Sequence, residues 1–101
     1  MQRPLAGTVY YRERIAMLPD VAAEVNVLNA DGLLVGRFRQ VLNGRQVPYP
    51  FAITVQVPVG SELRAAGRLV DGRGTLLFAT PTPVPVPRDG PLDMLLFRQP
   101  G

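Results

Sequence analysis

The sequence contains no cysteine, no histidine and no tryptophan, and all eleven of its cationic side chains are arginine, none lysine. Without cysteine there is no disulfide framework, no thiol nucleophile and no thiolate metal site. Without histidine there is no imidazole base and no zinc site of the usual kinds. Serine is nearly absent too: Ser61 stands alone in turn chemistry, so a serine–histidine triad is excluded. Long apolar runs are missing, and none approaches the roughly 18 residues that a membrane-spanning helix needs. No apolar stretch of the kind found in a secretory leader follows Met1-Gln-Arg-Pro4. No glycine-rich phosphate loop follows a strand and opens a helix. The eight carboxylates, Glu13, Asp20, Glu24, Asp31, Glu62, Asp71, Asp89 and Asp93, are scattered, three of them in turns where Asp is expected. The chain therefore reads as no enzyme, with no cofactor, no metal and no small-molecule substrate.

Helical periodicity is also missing, since no window sustains it for a dozen residues. What is present is strand patterning. With 47% apolar and 19% charged residues, the 101-residue chain has a globular balance and the length of one domain, residues 1–101. Seven extended segments are bounded by Gly, Pro, Asp or Asn: 5–14, 21–28, 33–42, 51–57, 63–70, 75–80 and 92–98. In the second, Val21, Ala23, Val25 and Val27 alternate with Ala22, Glu24 and Asn26. In the fourth, Phe51, Ile53, Val55 and Val57 alternate with Ala52, Thr54 and Gln56. Successive side chains of a strand point to opposite sides, so each pattern describes one apolar and one polar face. Asn29-Ala-Asp-Gly32, Asn43-Gly44 and Asp71-Gly-Arg-Gly74 supply turns between strands. Strands recurring about every ten residues predict an all-β, single-domain antiparallel sandwich of about seven strands, immunoglobulin- or transthyretin-like. One short helical turn is expected near Ser61-Glu-Leu-Arg64, where N-cap chemistry occurs.

Four features carry more specific information. From Gly7 to Arg14 the first strand is aromatic and arginine-rich, with Val9, Tyr11 and Glu13 on one face and Thr8, Tyr10, Arg12 and Arg14 on the other. Pro19 cannot donate to a ladder, and it stops the strand. In Thr80-Pro-Thr-Pro-Val-Pro-Val-Pro87 the prolines fall on alternate positions, so all the missing donors lie on one edge. Thr82, Val84 and Val86 can still pair on the other edge, which suits a protected edge strand; a polyproline II connector has the same composition. Arg12, Arg14, Arg37 and Arg39 interleave with Tyr10, Tyr11 and Phe38, a pattern that oligonucleotide-binding barrels also use. The plainer reading makes these arginines a solubility and edge-protection device. In Gly44-Arg-Gln-Val-Pro-Tyr-Pro-Phe51, two prolines flank Tyr49 and hold it in a defined direction, either as a corner or as a recognition side chain.

Three of these segments, Gly7-Thr-Val-Tyr-Tyr-Arg-Glu-Arg-Ile-Ala-Met-Leu-Pro-Asp20, Gly44-Arg-Gln-Val-Pro-Tyr-Pro-Phe51 and Leu77-Phe-Ala-Thr-Pro-Thr-Pro-Val84, resemble in order the YscW/YbaY-type bacterial lipoproteins. The resemblance implies a small β-sandwich in the bacterial cell envelope, at the periplasmic face of the outer membrane. It further implies a pilotin- or chaperone-like protein that binds an envelope partner, possibly a secretin segment of a type III secretion system. The chain itself has neither a leader nor a lipobox cysteine, so contact with a membrane is expected only through a lipid anchor upstream of Met1. Candidate partner contacts are Tyr10, Arg12, Arg14, Phe38 and Tyr49. Two other readings stand beside it: an Arg-rich β-barrel that binds nucleic acid or another polyanion, and a purely structural envelope domain.

Overall fold

The computed structural model describes residues 1–100. Its nine strands are β1 (Gln2–Tyr10), β2 (Ala22–Leu28), β3 (Leu34–Val41), β4 (Tyr49–Gln56), β5 (Arg64–Val70), β6 (Leu76–Ala79), β7 (Val84–Pro85), β8 (Leu92–Leu95) and β9 (Phe97–Arg98). They form two sheets. The smaller has the order β4-β1-β8; the larger has the order β3-β2-β5-β6-β9, with β7 also paired to β5. The all-β sandwich expected from the patterning is found, and it is not a closed barrel.

The core lies between the sheets and follows the alternation. Leu5 and Val9 of β1, Phe51 and Val55 of β4, and Leu92 and Met94 of β8 face Val25 and Val27 of β2, Ala65 and Leu69 of β5, and Phe78 of β6. Burying these side chains stabilises the domain by about 25 cal/mol per Å² of apolar surface removed from water. The sheets approach closely where glycine stands on the inner face: a Cβ on Gly36 would sit 2.5 Å from Val55 Cγ1, and one on Gly67 2.9 Å from Val9 Cγ1.

The structure differs from the sequence reading in several places. β1 begins at Gln2 and ends at Tyr10, short of the expected Arg14. The Tyr10 carbonyl accepts from Leu96 N–H at 2.7 Å, and Tyr11 then turns inward to stack on Phe78, with ring centroids 4.7 Å apart. Residues 12–20 thus form the connection that carries the chain from one sheet to the other, and Arg12 and Arg14 lie on that connection rather than on a strand face. The last expected strand is divided at Leu96, because the chain passes there from the small sheet (β8) to the large one (β9). Most pairings are antiparallel, but β1 and β8 run parallel, Gly7–Tyr10 against Leu92–Leu95. No helix forms near Ser61 among the described residues. Instead a turn closes at Pro58, whose carbonyl accepts from Ser61 N–H at 3.2 Å and from Ser61 Oγ at 2.6 Å.

The proline-rich segment behaves as the alternating donors require. Val84 and Pro85 pair with Ala65 and Arg64 of β5, and Val86 N–H donates to the Leu63 carbonyl at 2.9 Å. The large sheet's outer face carries one buried charge. Glu24, 7% exposed, accepts from Arg68 Nε at 2.6 Å and from Arg39 Nε at 3.3 Å, both delivered by its cross-strand neighbours.

Candidate partner-binding site

The opening segment contributes to a site by way of its connection rather than its strand. Val21 N–H donates to the Leu18 carbonyl at 3.3 Å, closing a turn around Pro19 and Asp20. That turn leaves Leu18 projecting, 62% exposed, while Met17 is buried beneath it. Across from it, the hairpin at Asp71–Gly74 returns the chain into β6; Gly74 N–H donates to the Asp71 carbonyl at 3.0 Å, and the Asp71 side chain accepts from Arg73 and Thr75 N–H. Leu76, Leu77 and Phe78 are consecutive apolar residues, and a strand can bury only alternate ones. Phe78 enters the core opposite Leu69, but a shift of register then pairs Leu76 with Val70, and Leu76 stays 36% exposed.

Two adjoining depressions result. The larger, about 300 Å³, is lined mostly by apolar groups, among them Ile15, Leu18, Leu76 and Leu77. The smaller, about 130 Å³, is lined by Tyr11, Arg12, Leu95 and Phe97 among others. Phe78 and Arg98 belong to both. Phe97, on the terminal strand of the sheet, is half exposed. The guanidinium of Arg98 lies 5.8 Å from the centre of the Phe78 ring and is held by the Glu13 carboxylate, so the floor of the groove is fixed by a cation–π contact and an ion pair. Isolated exposed apolar residues are ordinary on a protein surface; a contiguous set rimmed by charge is the signature of a docking surface.

The five residues singled out from the sequence are not gathered at one place. Arg12 lines the smaller depression. Arg14 is exposed on the same connection, one residue before Ile15. Tyr10 is half-buried at the end of β1, paired with Leu95. Phe38 lies far away on β3, at the opposite edge of the large sheet, with its ring 6.2 Å from that of Phe51. Tyr49 is enclosed, 3% exposed, and its hydroxyl donates to the Arg45 carbonyl at 2.7 Å. Burial pushes its phenol well above the ordinary range, helped by the neighbouring Tyr11 hydroxyl. Tyr49 therefore supports Tyr11 from beneath, with ring centroids 6.5 Å apart, and offers no surface to a partner. The interleaving of arginine with aromatic rings also dissolves: Arg37 and Arg39 share the outer face of the large sheet, while Phe38 and Tyr11 point away from it. Sequence reasoning missed Leu18, Leu76, Leu77, Phe97 and Arg98. The usable signal was the unbroken apolar run 76–78, which alternation alone does not explain.

Among the described residues there is no cluster of three or more acidic side chains placed to hold a metal ion. A comparison with curated protein sequences finds no match. Among solved structures, the chain is similar to an alternative pilotin from the type II secretion system of Vibrio cholerae, at 25% identity with a TM-score of 0.83, covering 100% of both chains. A family model described as type III secretion system lipoprotein chaperone matches residues 1–93, so that β9 and the second half of β8 fall outside the match. A non-enzymatic family, a matching fold and an apolar groove on one end of the sandwich agree with one another, and this chain belongs to the YscW family of secretion-system lipoprotein chaperones.

Proposed function

We propose that this domain is a pilotin that grips a segment of an outer-membrane secretin subunit, at the periplasmic face of the outer membrane. The observation that carries this reading is the apolar groove of Ile15, Leu18, Leu76, Leu77 and Phe97, built in part by the very segment that resembles the family. Its preferred occupant is an amphipathic segment whose apolar side chains fill the groove. Carboxylates on the flank of that segment meet Arg12 and Arg14, since neither has a carboxylate partner among the described residues. Groups buried at the centre of such a contact carry most of its energy, and the arginines at the rim set orientation and association rate.

The test uses peptides tiled across a secretin subunit and chemical-shift mapping on the intact domain. One peptide should perturb Leu18, Leu76 and Phe97, and L18D/L76D should weaken it at least tenfold without loss of fold, because both side chains are exposed. Binding that leaves these residues unperturbed, or that survives L18D/L76D, removes the groove from the proposal.

A further inference from the structure

A second site lies at the other end of β5. The groove adjoins Val70, which pairs with Leu76; at the opposite terminus Arg64 borders a cleft of about 340 Å³. Six residue steps along the strand separate the two, about 20 Å at the usual rise. The walls of the cleft are the turn at 58–63 and the segment 85–88, joined by the bond from Val86 N–H to the Leu63 carbonyl. Three arginines, Arg3, Arg64 and Arg88, line it against a single acidic residue, Glu62.

Arg3 ties the walls together: its Nη1 donates to the Ser61 carbonyl at 3.3 Å and its Nη2 to the Pro87 carbonyl at 2.9 Å. Those acceptors are neutral, so the charge of Arg3 is positioned but not compensated. Arg64 and Arg88 are exposed and, among the described residues, pair with no carboxylate. Three like charges repel, and a fold that holds them around one concavity with one counter-charge favours an anion there. Guanidinium forks match the oxygens of phosphate in geometry as well as charge.

We propose that Arg3, Arg64 and Arg88 form a binding site for a phosphate group, carried either by a small phosphate ester or by a phospholipid headgroup. The site is independent of the secretin reading, because it shares no residue with the groove. It is tested by titrating the intact domain with inorganic phosphate and glycerol phosphate, followed by arginine side-chain NMR. Co-sedimentation with phosphatidylglycerol vesicles, against phosphatidylcholine vesicles, is measured in parallel. R64Q/R88Q should lose at least tenfold in affinity, and E62Q should bind about threefold tighter once the repelling carboxylate is gone. R37Q/R73Q, which removes the same net charge outside the lining of the cleft, should bind as the parent does. Response to the soluble esters assigns a small ligand; response to the anionic vesicles alone assigns a headgroup. Absence of binding in both arms overturns the proposal, as does an equal loss in R64Q/R88Q and R37Q/R73Q, which would reduce it to net charge.

Discussion

Replacing Gly7 by alanine should break the small sheet. An ideal Cβ at this position lies 1.7 Å from the Leu92 carbonyl oxygen and 2.5 Å from its carbon, against backbone that cannot rotate away. To reach ordinary contact, β8 must retreat from β1 by more than an ångström at Gly7↔Leu92, the first of the four register pairs that join them. The strand that moves carries Leu92 and Met94 and leads into Leu96, all buried. Each such side chain stabilises the fold by about 1.5–3 kcal/mol, so complete release would cost about 5–9 kcal/mol. Partial relaxation lowers that figure, and we expect G7A to lose about 3 kcal/mol or more, a large share of the roughly 5–15 kcal/mol that holds a domain together. Urea unfolding followed by fluorescence reads this as a midpoint lowered by roughly 3 M, taking a slope near 1 kcal/mol/M. G74A is the control: Gly74 has φ +84° with open space around it, so alanine there costs only the left-handed conformation, about 1 kcal/mol. If G7A proves no more destabilising than G74A, the close approach of β1 and β8 is not what requires glycine.

Three other perturbations follow from the packing. E24Q should destabilise by about 1–2 kcal/mol in urea titrations, less than a fully buried ion pair would lose, because Arg39 and Arg68 can turn to water. An unchanged midpoint would show that the pair of bonds to Glu24 contributes nothing net. Since the Tyr49 phenol is raised in the folded state, its contribution is complete below the unfolded value near pH 10 and is lost as pH rises above it. Alkaline unfolding curves should therefore steepen above pH 10, and Y49F should flatten them; identical slopes would contradict the assignment. Replacing Pro83, Pro85 and Pro87 together by threonine restores N–H donors on the open edge of β7, and light scattering should then register self-association that the parent lacks.

Local chemistry made much of the fold legible. The alternation in β2 and β4 gave their faces, and the Asp71–Gly74 hairpin and the donor arithmetic of the proline run hold in the structure. The errors lie where a distant partner decides. β1 ends at Tyr10, whose carbonyl accepts from Leu96 N–H, 86 residues later, and no local pattern encodes that meeting. The parallel pairing of the first strand with the eighth is hidden for the same reason. At the site, Arg12 lines the groove and Arg14 lies on the same connection, while the rings of Tyr49 and Phe38 pack in or against the core. A buried aromatic and a binding aromatic share one sequence signature, and only the neighbours across the sandwich separate them.

The double pairing of β1 has a mechanical consequence. Eight register pairs join it to β4 on one side and four join it to β8 on the other. Tension applied at Met1 along the strand axis meets lateral bonds that lie across the direction of pull, so they must rupture together. β9, by contrast, is held to β6 at only two positions and can peel one bond at a time. Under load between the first residue and the terminal strand, the domain would yield at β9 long before it came apart at β1.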